Sequence, residues 1–219
     1  MQVITKPYFV LVFMLVFHSL ALLPLPDKAQ RSQLIEGKAA AVAVDMQPVY
    51  LSFINNGERA KEMKNILKTL AFCHERGIPI FALEIKGVGR TTEVLKDKLD
   101  EYDATYIFKE DNSGFVNTDL NSRLKSLGIK TLILMGVNAS ICVKATAEDA
   151  MELGYEICTS KQLIAEPYQW RPGIRTYESI PWFIKNGVYC DRYDDLLYVI
   201  SNSYNRVELP AQLMVPAGF

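Results

Sequence analysis

The sequence predicts one α/β domain of the three-layer α/β/α sandwich type, a mainly parallel sheet with helices on both faces. Three observations carry that prediction. Short apolar runs of strand length alternate with stretches whose apolar residues recur at helical spacing. The strand runs are largely continuous rather than alternating, which suits strands buried on both faces. Strand–helix–strand alternation implies right-handed crossovers, which lay successive strands parallel and cover the sheet from both sides. At 219 residues with 49% hydrophobic content, the chain can bury one substantial core, and nothing in its length demands a second domain.

Taken in order, the first residues differ in kind from the rest. Lys6 precedes the apolar run YFVLVFMLVF, and HSLA then offers small residues at Ser19 and Ala21, the pattern of a secretory signal peptide cut after Ala21. This reading makes residues 1–21 a signal, residues 22–38 a polar connector and residues 39–219 the folded domain, exported to a periplasmic or extracellular compartment. Extended to Leu23, the same run is a marginal membrane span. An uncleaved anchor is therefore the alternative, and only that alternative brings a membrane into the account.

Within the domain, AAAVAVDMQ reads as a buried strand closing at Asp45. GERAKEMKNILKTLAFCHERG then spaces Met63, Ile66, Leu67, Leu70 and Cys73 for an amphipathic helix stopped by Gly77. IPIFALEI is the next strand, TTEVLKDKLDEY a helix and ATYIFK a strand ending at Lys109. NTDLNSRLKSLG places Leu120, Leu124 and Leu127 on one helical face ahead of the strand TLILMGV. The stretch GVNASICVKATAEDAMELGY supplies another helix, YEICTS a strand, and GVYCDRYDDLLYVISN a final strand and helix. Residues 165–182, AEPYQWRPGIRTYESIPW, read as one long irregular piece. Its Trp170, Tyr177 and Trp182 fit a lid over a pocket and a face against a partner subunit equally well.

Lys plus Arg total 24 against 25 for Asp plus Glu, with no long block of either sign, so the chain lacks the basic footprint of a nucleic-acid binder. A small-molecule substrate is the better expectation. Four cysteines without a CxxC spacing, and only two histidines, do not make a zinc site or a dense disulfide framework. Cys73 reads as core; Cys158 and Cys190 are either core or, after export, a disulfide pair, and the sequence leaves that open.

Ligands of open parallel sheets collect outside the carboxyl ends of the strands. Three reactive side chains fall there: Asp45, Lys109 and Cys142. A free thiol is mostly protonated at neutral pH, so a nucleophilic Cys142 needs an activator. Histidine is the usual one, but His18 lies in the presumed signal and His74 on a helix whose neighbouring turns carry core residues. The remaining arrangement uses Asp45 as proton acceptor and Lys109 as a cation favouring the thiolate, with the start of the following helix adding partial positive charge. Backbone N–H groups at that helix start are placed to stabilise an oxyanion. Each residue alone has a plainer reading: Cys142 as a small buried hydrophobe, Asp45 as a cap, Lys109 as a solvated charge. Their common position at strand ends is what weakens those readings.

These residues resemble the isochorismatase-like cysteine hydrolase family, which includes nicotinamidases and N-carbamoyl amidases. AVDMQ is similar to that family's first strand with its Asp and following Gln. IFKEDNSGFVNTDLNSRLKSLGIKTLILMGVNASICVKATAEDAMELGYEI is similar to the family core from its Lys through the Ser-x-Phe and Thr-x-Leu positions to its Cys-Val. The resemblance spans residues 39–157 and, more loosely, NGVYCDRYDDLL. It implies a Rossmann-like sheet, the triad Asp45, Lys109 and Cys142, and a cis peptide between Val137 and Asn138. It also implies oxyanion donors at the backbone amides of Asn138 and Cys142, substrate-binding side chains at Tyr50 and Phe115, which flank the substrate, and at Gln47, which helps to hold the pocket, and a homo-oligomer. The chain departs from the family where nicotinamidases begin a metal site with Asp-x-His: here Glu84 and Lys86 stand at those positions, so no metal is expected. Cys142 counts against the vinyl-ether hydrolysis of isochorismatase itself. Ala139, Ser140 and Lys161 also differ from the commoner residues.

The combined expectation is an Asp-Lys-Cys hydrolase that cleaves a C–N bond of a small amide, ureide or imide through a Cys142 thioester, with no cofactor. The alternative is a catalytically silent binding protein that keeps the fold.

Overall fold

The computed structural model describes residues 37–166 and 179–207. The expected signal, nearly all of the connector, and Trp170 and Tyr177 of the aromatic stretch lie outside the described residues. Among the described residues, no helix is long and apolar enough to cross a membrane.

The chain runs β1 (Lys38–Val44), α1 (Pro48–Leu51), α2 (Asn56–Glu75), β2 (Ile80–Ile85), α3 (Glu93–Glu101), β3 (Thr105–Lys109), α4 (Leu120–Ser126) and β4 (Ile129–Val137). A π-helical turn, Ala139–Val143, then leads into α5 (Lys144–Glu152), β5 (Glu156–Ser160), β6 (Ile164–Ala165), α6 (Ser179–Asn186), β7 (Val188–Cys190) and α7 (Tyr193–Val207). All strand pairings are parallel, in the order β3-β2-β1-β4-β5-β7, with the two-residue β6 paired to the end of β4. The expected parallel three-layer fold is therefore what the chain adopts.

Both faces of the sheet are covered because both faces of its central strands are apolar. Ala39, Ala41 and Ala43 of β1 with Ile133 and Met135 of β4 face Ile66 and Leu70 of α2, Leu95 and Leu99 of α3, and Leu196 and Ile200 of α7. The alternate residues Ala40, Val42, Val44, Leu132 and Leu134 face Leu120 and Leu124 of α4, Ala147 and Ala150 of α5, and Phe183 of α6. The small alanines of β1 let helices approach closely at the centre.

Strand order reverses between β1, whose other neighbour is β2, and β4, whose other neighbour is β5. That is the topological switch point, where crossovers depart to opposite faces and leave a crevice at the carboxyl ends. Gly136 marks it: at φ +115°, a Cβ there would lie 2.2 Å from the carbonyl oxygen of Val44, so only glycine lets the ends of β1 and β4 lie side by side.

Two details differ from the sequence reading, and a third was left open by it. Leu127 is 43% exposed rather than on the buried face, because α4 spans only Leu120–Ser126 and the chain turns away at Gly128, φ +69°. Helix α6 occupies the end of the stretch expected to be irregular, with Pro181 accommodated in its first turn, where no helical N–H is lost. Finally, Cys158 and Cys190 are free thiols; Cys158 stands beside Val188 and Cys190 beside Ser160, two positions apart along paired strands.

Candidate active site

The three strand-end residues converge at the switch point. Asp45 follows β1 at φ +52°, its N–H donating to the carbonyl of Leu83 at 3.0 Å, which bends the chain so that the side chain turns inward. Lys109 closes β3, two strands away, and crosses beneath the loop that follows it. Its Nζ donates to Asp45 Oδ2 at 2.8 Å and to the carbonyls of Asp111 and Asn112 at 3.0 Å each. All three ammonium protons are thus satisfied in a pair whose side chains are at most 1% exposed. Burial raises the Asp45 carboxyl from its ordinary value, and the neighbouring Lys109 ammonium pulls the other way without overcoming it.

Asp45 Oδ1 is buried and has no partner at ordinary hydrogen-bond distance among the described residues. The Cys142 thiol is the further group that interacts with this carboxylate. Cys142 lies in the π-helical turn, 5% exposed, with its Sγ 3.8 Å from Asn112 Oδ1. Burial first, and then the negative charge of Asp45, push the thiol up to about 12; Lys109 and the backbone N–H of Asn138 act in the opposite sense. The resting sulfur is therefore a protonated thiol. Lys109 acts in favour of the thiolate, but its ammonium is held by Asp45 and two carbonyls, and its pull on the sulfur is outweighed.

The backbone N–H of Asn138 faces the sulfur, and the Val137–Asn138 peptide is cis, as the resemblance implied. The Asn138 carbonyl accepts the N–H groups of Ile141 and Val143, both at 3.1 Å, fixing the turn around Cys142. Thr146, fully buried one turn on, donates its hydroxyl to the Cys142 carbonyl at 2.7 Å and accepts the Gly114 N–H at 3.0 Å. It ties the Cys142 turn to the loop that holds Lys109. Sequence reasoning missed it, and the available signal was the spacing of four residues after Cys142 at the start of a helix.

The expected substrate-contacting residues divide. Tyr50 is half-buried, and its hydroxyl is raised first by burial and then by the negative charge of Asp45. Phe115 is half-buried, packs on the core cluster that contains Cys142, and stacks on Tyr155 at 5.9 Å. Gln47 is a correction to its assignment as substrate-binding. It is completely buried, its Nε2 donates to the carbonyls of Ile85 and Gly89, and its Oε1 accepts the Ile85 N–H at 2.9 Å. With those bonds made, Gln47 holds the loop after β2 and is closed to a ligand. Glu84, at the departure from the metal-binding pattern, is likewise engaged internally, accepting from Arg90 Nε at 2.6 Å and the Thr91 N–H at 2.8 Å. Trp182 lies on α6 with its ring edge-on to Phe183 and under the Lys144 ammonium. His74 stacks on Tyr102.

A cavity of about 860 Å³ lies elsewhere, between α2, β6 and the start of α7, and none of Asp45, Lys109 or Cys142 lines it. The reactive side chains gathered at the strand ends make that end of the sheet, not this cavity, the candidate site.

The family model for the isochorismatase domain matches residues 39–166. The uncharacterized isochorismatase family protein YddQ of Bacillus subtilis is 28% identical over 131 residues, 53% of this chain and 71% of that protein. A ureidoacrylate amidohydrolase RutB of an Enterobacter species is 46% identical over a shorter stretch of 43 residues, 20% of this chain and 19% of that one. Among solved structures, N-carbamoylsarcosine amidase of Thermoplasma acidophilum superposes with a TM-score of 0.56 at 24% identity, covering 72% of this chain and 98% of the amidase. With the domain match spanning both ends of the strand-end cluster and the parallel fold shared, the chain belongs to the isochorismatase family.

Proposed function

We propose that this chain is a cysteine hydrolase that cleaves a C–N bond in a small amide, ureide or imide, with Cys142 as nucleophile. The observation that carries the reading is the placement of the Asp45 carboxylate between a buried ammonium and a buried thiol at the switch point. The names of two similar proteins, an N-carbamoylsarcosine amidase and a ureidoacrylate amidohydrolase, support the same substrate class.

The resting protonation states define the order of events. Because the thiol starts protonated, proton transfer to Asp45 accompanies attack of sulfur on the substrate carbonyl carbon. The C–S bond forms as the carbonyl π electrons move to oxygen, which the backbone N–H groups of Asn138 and Cys142 are proposed to stabilise. Asp45, now a carboxylic acid, returns the proton to the leaving nitrogen as the C–N bond breaks, leaving a thioester. Water then attacks the thioester with Asp45 as base, and the departing sulfur takes back a proton. Lys109 touches no reacting atom in this scheme; it holds Asp45 in place and keeps its charged form accessible in a buried setting.

A panel of primary amides, carbamoyl compounds and imides, assayed for released ammonia or amine, tests the proposal. Turnover that disappears in Cys142→Ala is expected. Turnover that survives in that variant, or none across the panel with unmodified protein, contradicts it, the second outcome favouring a binding protein on the same fold. Export is proposed alongside: protein recovered from cells is expected to begin at Leu22, and an intact N-terminus on cytoplasmic protein contradicts that.

A further inference from the structure

The loop after Lys109 turns one polar side chain to the reactive sulfur instead of to its own backbone. Its other short polar side chains serve the loop: the Asp111 carboxylate accepts the Asn112 N–H at 2.7 Å, the Ser113 hydroxyl accepts the Phe115 N–H at 3.1 Å, and the Thr118 hydroxyl donates to the Gly114 carbonyl at 2.6 Å. Asparagine in a loop commonly does the same, bonding backbone close to itself. Asn112 instead brings its carboxamide Oδ1 to 3.8 Å from Cys142 Sγ. The backbone around it is fixed, because the Asn112 carbonyl accepts Lys109 Nζ at 3.0 Å and the Gly114 N–H is held by Thr146 at 3.0 Å. Asp45 and Lys109 are each 1% exposed, whereas Asn112 is an exposed residue. The sulfur therefore meets the buried carboxylate of Asp45 and, toward solvent, the carboxamide of Asn112.

That placement suits the scissile nitrogen of a substrate. A carbonyl carbon poised for attack lies about 3–3.5 Å from the sulfur, and its nitrogen stands about 1.3 Å from that carbon. An acceptor 3.8 Å from the sulfur is then within the usual reach, about 2.9 Å, of an N–H on that nitrogen. A carboxamide oxygen only accepts, and it has two lone pairs, of which the thiol takes at most one. It bonds an N–H and offers nothing to an ester oxygen or to a nitrogen without hydrogen. Two consequences follow for the chemistry. Once a substrate N–H occupies Oδ1, the S–H has one acceptor fewer to compete with Asp45. With its N–H engaged there, the nitrogen is also free to turn its lone pair to Asp45, which protonates it as the C–N bond breaks.

We propose, resting on the hydrolase reading, that Asn112 selects the substrate by its scissile nitrogen: the Asn112 Oδ1 accepts an N–H from that nitrogen. Primary and N-monosubstituted amides and ureides are taken, and esters and N,N-disubstituted amides are disfavoured.

The test compares the full chain with Asn112→Ala on one acyl group, that of an amide turned over in the panel above, offered as the primary amide and as the methyl ester. The kcat/KM ratio of amide to ester is expected to fall about tenfold in the variant, the loss of one hydrogen bond. Intrinsic reactivity cancels in that comparison. A ratio unchanged within about twofold overturns the proposal, and so does an equal loss on both substrates, which is what a merely structural side chain would give. Should no amide be turned over, alkylation of Cys142 decides instead, by iodoacetamide, which carries amide N–H groups, against methyl iodoacetate, which carries none. The ratio of the two rates at Cys142, read by peptide mapping, is expected to fall at least about fivefold in Asn112→Ala, and an unchanged ratio overturns the proposal. Absence of turnover across the panel is thus a failure of the hydrolase reading, whereas an unchanged ratio at a reactive Cys142 is a failure of the role given to Asn112.

Discussion

Two buried thiols, Cys142 and Cys158, lie on opposite faces of the same sheet and differ in what surrounds them. Both are pushed up by burial, and by exposure alone, 5% against 1%, they would be classed together. Around Cys158 the other influences are the thiols of Cys73 and Cys190 and the charge of Glu156, all of which oppose ionisation. Around Cys142 there are a carboxylate able to take the proton, an ammonium holding that carboxylate, and a backbone N–H aimed at the sulfur. Burial makes a cysteine inert, and a proton acceptor at a strand end makes it serviceable. The difference comes from position: Cys158 is mid-strand in β5, whereas Cys142 sits past the end of β4 at the switch point.

The widest separation between the two is expected in catalysis. Cys142→Ser should lower turnover of any hydrolysed amide by at least about a thousandfold, because the covalent route is lost. Cys158→Ala should leave turnover within about twofold and cost about 1–2 kcal/mol of stability in urea unfolding, the loss of a small buried side chain. Comparable losses of activity in both variants would mean that the contrast between the thiols is one of packing.

Next in size is the ion pair that distinguishes the Cys142 face. Lys109→Met leaves Asp45 buried without its counter-charge, and the expected cost is about 3–5 kcal/mol in urea unfolding. A loss under about 1 kcal/mol, the range of exposed pairs, would show that the pair is solvated and the buried geometry wrong.

On the Cys158 face, one described group that responds to pH is Glu62. Its folded-state carboxyl lies well above the ordinary value of 4.5, so the native chain holds a proton that the unfolded chain has lost. That contribution to stability is complete below the unfolded value and is lost as pH rises through the folded one. Unfolding midpoints are expected to fall over that window, and Glu62→Gln is expected to flatten the fall. An unchanged slope in the variant would assign the pH response to another group.

Much of this contrast was legible in the sequence. Continuous apolar runs revealed the strands, and the scarcity of histidine directed attention to Asp45 and Lys109 as companions of Cys142. What was hidden depended on who meets whom. The carbonyls of Asp111 and Asn112 that hold Lys109, and the Thr146 hydroxyl that ties two loops, are contacts between residues whose identities signal nothing alone. Gln47 was placed at the pocket by resemblance alone, but the turn after β1 points it at the loop after β2 instead. Leu127 fitted the helical spacing yet fell beyond the helix, since spacing says which residues share a face and not where the helix stops. The resting state of the thiol could not be read either, because desolvation depends on three-dimensional burial.

The most direct test of the central claim, that Asp45 takes the proton of Cys142, is site-resolved alkylation by iodoacetamide at neutral pH, with Cys190 as internal reference. Cys190 is the more exposed thiol and is pushed up only to about 11, against about 12 for Cys142. On simple ionisation Cys190 should react about tenfold faster. The account predicts the reverse, Cys142 outpacing Cys190, with the advantage abolished by Asp45→Asn. Alkylation of Cys142 that is slower than that of Cys190, or unaffected by Asp45→Asn, would contradict it.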